Sequence, residues 1–166
     1  MRGLLPEDVS LKRIEKTSGD FHARFDAVSR CYEYWISSDK APLLRRIAWT
    51  PGRTLDVTVL KRCAVVLAGE HDFRNFCIQP DHSMQTTICT ISESRWEEWD
   101  DGYRFTIRGN RFLRQMVRRL VGSMVRIAAG EDSFEAFLNA VKGNHSEIRI
   151  QTAPPHGLRL KKVEYL

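Results

Sequence analysis

The chain has 166 residues, 42% of them apolar and 28% charged, with no low-complexity tract, which excludes a disordered segment and allows one core or two small ones. Its net charge of +5 and pI near 9.2 favour an acidic partner, most commonly nucleic acid, without choosing a chemistry. No apolar run is long enough to span a bilayer, the first residues lack the apolar core of a secretion signal, and four scattered cysteines read as reduced thiols of a cytoplasmic protein.

In chain order, residues 9–16 and 21–36 are predicted to be extended, the second run rich in aromatic and β-branched residues and closed by Ser37-Ser38-Asp39-Lys40. Residues 42–51 read as a crossover. Residues 56–68 space Val57, Leu60, Ala64 and Leu67 as one face of a helix, with Thr54 or Asp56 as the cap and Gly69 as the stop. Residues 86–99 and 103–108 are two further extended runs, joined by Asp100-Asp101-Gly102, residues that tolerate the backbone angles of a tight hairpin.

A long helix is predicted from Asn110, because Phe112, Leu113, Met116, Val117, Leu120, Val121, Met124 and Val125 form an apolar stripe while Arg111, Arg114 and Arg118 share another side. Seven arginines and no acidic residue between positions 104 and 126 imply a local positive field suited to a phosphate backbone, although a solvated helix face has the same composition. Ser133 caps a shorter helix through Phe134, Phe137, Leu138 and Val141, ending near Gly143-Asn144, and residues 157–165 alternate as a last strand. This order predicts one α+β domain over residues 1–166, with a largely antiparallel sheet covered by helices. His22, His71, His82, His145 and His156 have neither i, i+4 nor clustered Cys/His spacing, so no metal site is expected.

Four stretches together resemble the tRNA pseudouridine synthase A family. Phe21-His22-Ala23-Arg24-Phe25 with Arg30-Cys31-Tyr32-Glu33-Tyr34 resembles its Phe-His-Ala-Arg-Phe and Arg-x-Tyr-x-Tyr strand, and Gly69-Glu70-His71-Asp72-Phe73 with Phe76 the segment after its helix. Residues 110–122 are similar to its Asn-x-Phe-Leu-x-x-Met-Val-Arg-x-x-Val-Gly signature, and residues 152–158 to its final loop and strand. The resemblance implies the C-terminal half of a two-part fold that isomerises uridine to pseudouridine in the tRNA anticodon stem-loop. That reaction has no redox step and no external energy source, so no cofactor is expected.

By motif, Arg118 is the arginine that holds the nucleophilic aspartate ionised and aimed, and Tyr32 is the aromatic wall on which the target base stacks. Tyr34, on the same strand face, reads as a packing residue. Arg24, Arg30, Arg111 and Arg114 are candidates for phosphate contacts. The family's catalytic Gly-Arg-Thr-Asp-x-Gly-Val-His-Ala is expected ahead of Leu5-Pro6-Glu7-Asp8-Val9, and the 166 residues do not contain it. Gly52-Arg53-Thr54-Leu55-Asp56 imitates it with an inserted Leu and suits a helix start instead. Cys89 stands where the pattern has Arg, and a thiol cannot replace a guanidinium's paired hydrogen bonds.

The expectation is therefore a tRNA-binding part of an isomerase, inactive alone, from a gene fragment or a misassigned start. It has no membrane contact and self-associates, as a homodimer for instance, through the sheet edge left open. A non-catalytic RNA-binding domain, or a subunit completed by another chain, are the competing readings.

Overall fold

Residues 31–36 place Tyr32, Tyr34 and Ile36 on one side of a strand and Cys31, Glu33 and Trp35 on the other, so the segment can line a core and still face solvent. In the computed structural model, which describes residues 5–17, 19–78 and 86–166, this strand is β1, Ala27–Ser37. It pairs with the strands here named β4, Gly102–Gly109, and β5, Leu158–Tyr165. With β2, Gly69–Asp72, and β3, Ile88–Trp99, the sheet order is β2-β3-β4-β1-β5, antiparallel at every pairing. The α+β class and the antiparallel sheet agree with the sequence reading.

Three helices, α1 at Val57–Val65, α2 at Met116–Ala128 and α3 at Phe134–Val141, accompany the sheet. Tyr34, Ile36, Phe105, Ile107 and Trp96 form the sheet's side of the core, with Leu60, Met116, Leu120 and Met124 from the helices. Trp96 reaches across to α2, its indole N–H donating to Met124 Sδ at 3.5 Å. α3 joins through Phe137, whose ring lies 5.6 Å edge-on to Phe76.

The opposite sheet face is a lattice of charges. Arg104 pairs with Glu97 at 3.2 Å, and Arg108 with Glu93 at 3.2 Å and Glu164 at 2.7 Å. Glu33, only 7% exposed, accepts from Lys161 at 2.5 Å and from the Trp35 indole at 3.3 Å. Burial pulls the Glu33 carboxyl up, but those two donors and the charges of Lys161 and Arg104 outweigh it, leaving it below the usual carboxylate range.

Local signals behave as read where they are self-contained. Asp56 caps α1 by accepting from Thr58 N at 2.8 Å and Val59 N at 3.2 Å, Ser133 caps α3, and residues 100–102 turn the β3–β4 hairpin. Three expectations are overturned. Residues 9–16 join no strand, and residues 22–26 are a turn rather than the start of β1, because His22 and Asp26 side chains capture the local amides that a ladder would need. The helix predicted from Asn110 begins only at Met116, for reasons given below. Gly69–Asp72, polar and short, is a strand only because β3 pairs with it.

Replacing Asp56 by Ala strands two helix-start amides, and urea unfolding should register a loss of about 1 kcal/mol. Thr54→Ala, at the position Asp56 outcompetes, should move the midpoint by much less.

Candidate nucleic-acid interface

Three loops meet over the helix-side face of β1 at Tyr32. The first is the turn at residues 22–25. The second is the loop at residues 110–115 between β4 and α2. The third runs through residues 151–157 into β5. One-residue register slips flank the place: β5 has an extra residue opposite the step from Cys31 to Tyr32, and β3 has one between Ile91 and Glu93 beside the end of β4. Such bulges re-aim side chains at a strand's edge.

The middle loop stays unwound because distant groups hold it. Asn110 Oδ1 accepts from Thr90 N at 3.0 Å and Asn110 N donates to Thr90 O at 3.1 Å, while Ile78 N donates to Arg114 O at 3.2 Å. Phe112 turns its edge to Tyr32, with centroids 5.1 Å apart and planes at 85°. The loop ends at Gln115, a non-glycine residue with φ of 66°, a costly left-handed conformation that the surroundings must enforce.

Gln115 meets Arg118 there. Arg118 Nη1 donates to Gln115 Oε1 at 2.7 Å and Arg118 Nε to Ala153 O at 2.6 Å, while Ala153 N returns a bond to Arg118 O at 3.0 Å. Gly122, one turn on, lets the third loop close in, for a Cβ there would stand 2.1 Å from Gln151 O. Tyr34, fully buried, donates its hydroxyl to Pro154 O at 2.7 Å. Burial pushes its phenol up despite the Arg118 charge, so it stays a neutral donor.

The two adjoining clefts so formed are lined by Arg24, Phe25, Arg30, Tyr32, Arg111 and Phe112, and by Leu113 through Arg118 with Pro155 and Leu158. All six sequence-nominated residues, Tyr32, Arg118, Arg24, Arg30, Arg111 and Arg114, border this one region. They are not equivalent. Arg30 is occupied by three main-chain carbonyls, those of Ala27 and Asn110 at 2.7 Å each and that of Arg24, and so acts as a brace for the turn and the loop.

The expected row of arginines along one helix side is not present. Arg111 and Arg114 precede α2, so they share no helical face with Arg118. Nor is the field from positions 104 to 126 unbroken: Arg104 and Arg108 are answered on the far sheet face, Arg126 pairs with Glu131 and Asp132, and Arg119 donates to Cys77 O. What remains is concentrated. Among the described residues Arg24, Arg111, Arg114 and Arg118 form no ion pair, and the residues lining the clefts include no Asp, Glu, His, Cys or Ser. The arrangement can seat an anion beside a planar ring, and its described residues offer no carboxylate, thiol or imidazole as a nucleophile.

Other candidates fall outside it. Arg53 pairs with Glu131, so Gly52-Arg53-Thr54-Leu55-Asp56 is a helix entry. His71 Nε2 lies 2.9 Å from Ala68 O and Asp72 caps the following turn, so the pair is not an acid and base in contact. Cys89 is fully buried, its thiol pushed up to about 11 by burial against the lowering charge of Arg111, and it presents nothing to a ligand. The four cysteines are free and buried, no group of three or more His, Cys, Asp or Glu among the described residues is placed to hold a metal, and no helix there is long and apolar enough to cross a membrane. Gln115 and the Ala153 carbonyl were missed by sequence reasoning: neither a left-handed Gln nor a carbonyl's direction leaves a mark in composition or spacing.

The family profile described as tRNA pseudouridine synthase matches residues 63–166. The chain is 35% identical to the tRNA pseudouridine synthase A of Bacillus velezensis, over 99% of this chain and 67% of the relative. It is 37% identical to that of Dictyoglomus turgidum, over 98% and 66%, and 34% identical to that of Bacillus subtilis, over 99% and 67%. The chain thus spans about two thirds of the length of these curated relatives.

Gly122→Ala should test how tightly the third loop is fitted to α2. The added methyl meets main chain on the facing loop, which cannot swing aside, so denaturant unfolding should show a loss of about 2 kcal/mol or more.

Proposed function

The chain belongs to the tRNA pseudouridine synthase A family, and from that premise we propose that it carries the base-binding and arginine-bearing part of a tRNA uridine-to-pseudouridine isomerase acting on the anticodon stem-loop. The observation that carries the reading is a cleft with no acid among the described residues, in which Arg118 pairs with no described carboxylate beside the Tyr32–Phe112 wall. In this reading the reacting carboxylate comes from residues outside these 166, on the same chain or another.

The chemistry follows from the geometry. The reaction breaks the bond between uracil nitrogen and ribose, turns the base and closes a carbon–carbon bond, so the detached uracil must be held without being bound too tightly to turn. A tyrosine face backed edge-on by Phe112 offers area without directional hydrogen bonds. Arg118, fixed at Nε and Nη1 by Ala153 and Gln115, keeps Nη2 to engage an incoming carboxylate and hold it ionised. Arg24, Arg111 and Arg114 supply the phosphate contacts, with Arg30 holding their loops in place.

The same lack of an acid supports a second reading, a non-catalytic RNA-binding domain. One experiment separates them. The 166 residues incubated with unmodified tRNA should form no pseudouridine. Supplied with a segment bearing the family's Gly-Arg-Thr-Asp-x-Gly stretch, they should gain activity that drops roughly 100-fold or more with Arg118→Ala. No activity under any complementation leaves only the binding domain.

Binding itself should persist in the unsupplemented chain and weaken steeply with salt. The paired change Arg111→Ala and Arg114→Ala should reduce the slope of log affinity against log salt by about 1 to 2, alike for unrelated RNA sequences. Filter binding across a salt series measures it, and a slope that stays put would take these two side chains out of the site.

Self-association is part of the proposal as well. β5 is an outer strand of the sheet, and Val28, Leu160 and Tyr165 near it are exposed by 41%, 55% and 42%. Sedimentation should find dimers or larger species, and a monomer at all concentrations would remove the point.

A further inference from the structure

Phe25 is 73% exposed, the most exposed aromatic ring on the described surface, yet nothing about it is loose. It sits on a turn fixed by His22 Nδ1, which accepts from Arg24 N at 3.2 Å and Phe25 N at 3.3 Å. Asp26 Oδ2 accepts from His22 N at 2.7 Å, and Tyr165 donates its hydroxyl to Ala23 O at 2.9 Å. Arg30 grips the Arg24 carbonyl from below. A large apolar ring held in water by this many bonds is costly unless something covers it.

We propose that Phe25 is a stacking platform for a second nucleobase, an unpaired neighbour of the base seated against Tyr32. Its surroundings are those of a single-strand nucleic-acid site. Phe25 lines the same cleft as Tyr32, Phe112, Arg24, Arg30 and Arg111, so a strand whose phosphates engage the arginines passes over the ring. The Arg24 guanidinium lies 5.5 Å from its centroid and the His22 ring, tilted by 40°, 4.3 Å from it, so the ring already keeps the cationic and aromatic company in which bases stack. The other residues lining this cleft are three arginines and the rings of Tyr32 and Phe112, cations beside flat aromatic faces, a combination that suits a phosphate-and-base strand better than an apolar protein segment. Phe25 thus separates two tasks: Tyr32 holds the base that reacts, and Phe25 holds its neighbour out of the loop's own stack.

The inference rests on the reading that this cleft binds RNA, and the test separates the two. An anticodon stem-loop carrying 2-aminopurine at successive loop positions is titrated with the unaltered chain and with Phe25→Ala, Phe25→Leu and Phe25→Trp. Phe25→Ala should bind about 5- to 100-fold more weakly with the salt slope unchanged, Phe25→Leu should do no better, and Phe25→Trp should restore affinity and quench one loop position. The thermal midpoint should stay where it is, since the ring is exposed. Leu binding as well as Phe would mean mere apolar cover, and full affinity in Phe25→Ala, with or without altered sedimentation, would mean the ring serves a protein contact or none. Either overturns the platform alone. An unaltered chain that fails to bind the stem-loop overturns the cleft reading too.

Discussion

The site depends on the reciprocal bonding of Arg118 and Ala153, side chain to carbonyl and amide to carbonyl. The exchange fixes the last loop to α2, and that loop then delivers Pro154 to the Tyr34 hydroxyl and Leu158 into β5. A buried main-chain carbonyl left without a donor loses about 1 to 3 kcal/mol, so the arginine that faces the cleft also keeps the loop in place. Stability and ligand contact are therefore joined in one guanidinium, and a Lys, with its single nitrogen, could not bond Ala153 and Gln115 while presenting a free edge.

The two faces of the sheet divide the charge. On the far face Glu33, Glu93, Glu97 and Glu164 answer Arg104, Arg108, Lys161 and Lys162, so these cations are silent there and the face adds nothing to the chain's basic excess. On the near face the loops bring arginines together with no acid among the described residues lining the clefts. The useful field therefore comes from a few cations left unanswered rather than from the total, which is why net charge alone says little about where an anion binds.

How much the sequence disclosed follows from how far each determinant reaches. Asp56, Ser133 and Asp100-Asp101-Gly102 act on amides within three residues of themselves, so the α1 and α3 starts and the hairpin were legible. The true start of α2 was not, because Phe112 and Leu113 keep helical spacing while Asn110 is bonded to Thr90, twenty residues away. β2 was invisible for a related reason: a short polar segment becomes a strand only through its neighbour. In the site, the residue types were read by resemblance, yet only the fold reveals that Arg30 is a brace, that Arg104 and Arg108 belong to the other face, and that Gln115 stands in a left-handed bend.

The extra residue in β5 opposite β1 has a consequence for the chain's length. In a regular strand Lys161 and Lys162 would point to opposite sides, one of them toward the helices. The bulge lets both neighbours lie on the charged face, where Lys161 meets Glu33 and Lys162 meets Glu164, and still returns Leu160 to the register of Tyr32. Removing either lysine would leave Leu160 opposite Tyr32, the remaining lysine opposite Cys31 and Val163 opposite Arg30 in strict alternation, so the loss takes away one cation and the local bend while every other side chain keeps its face.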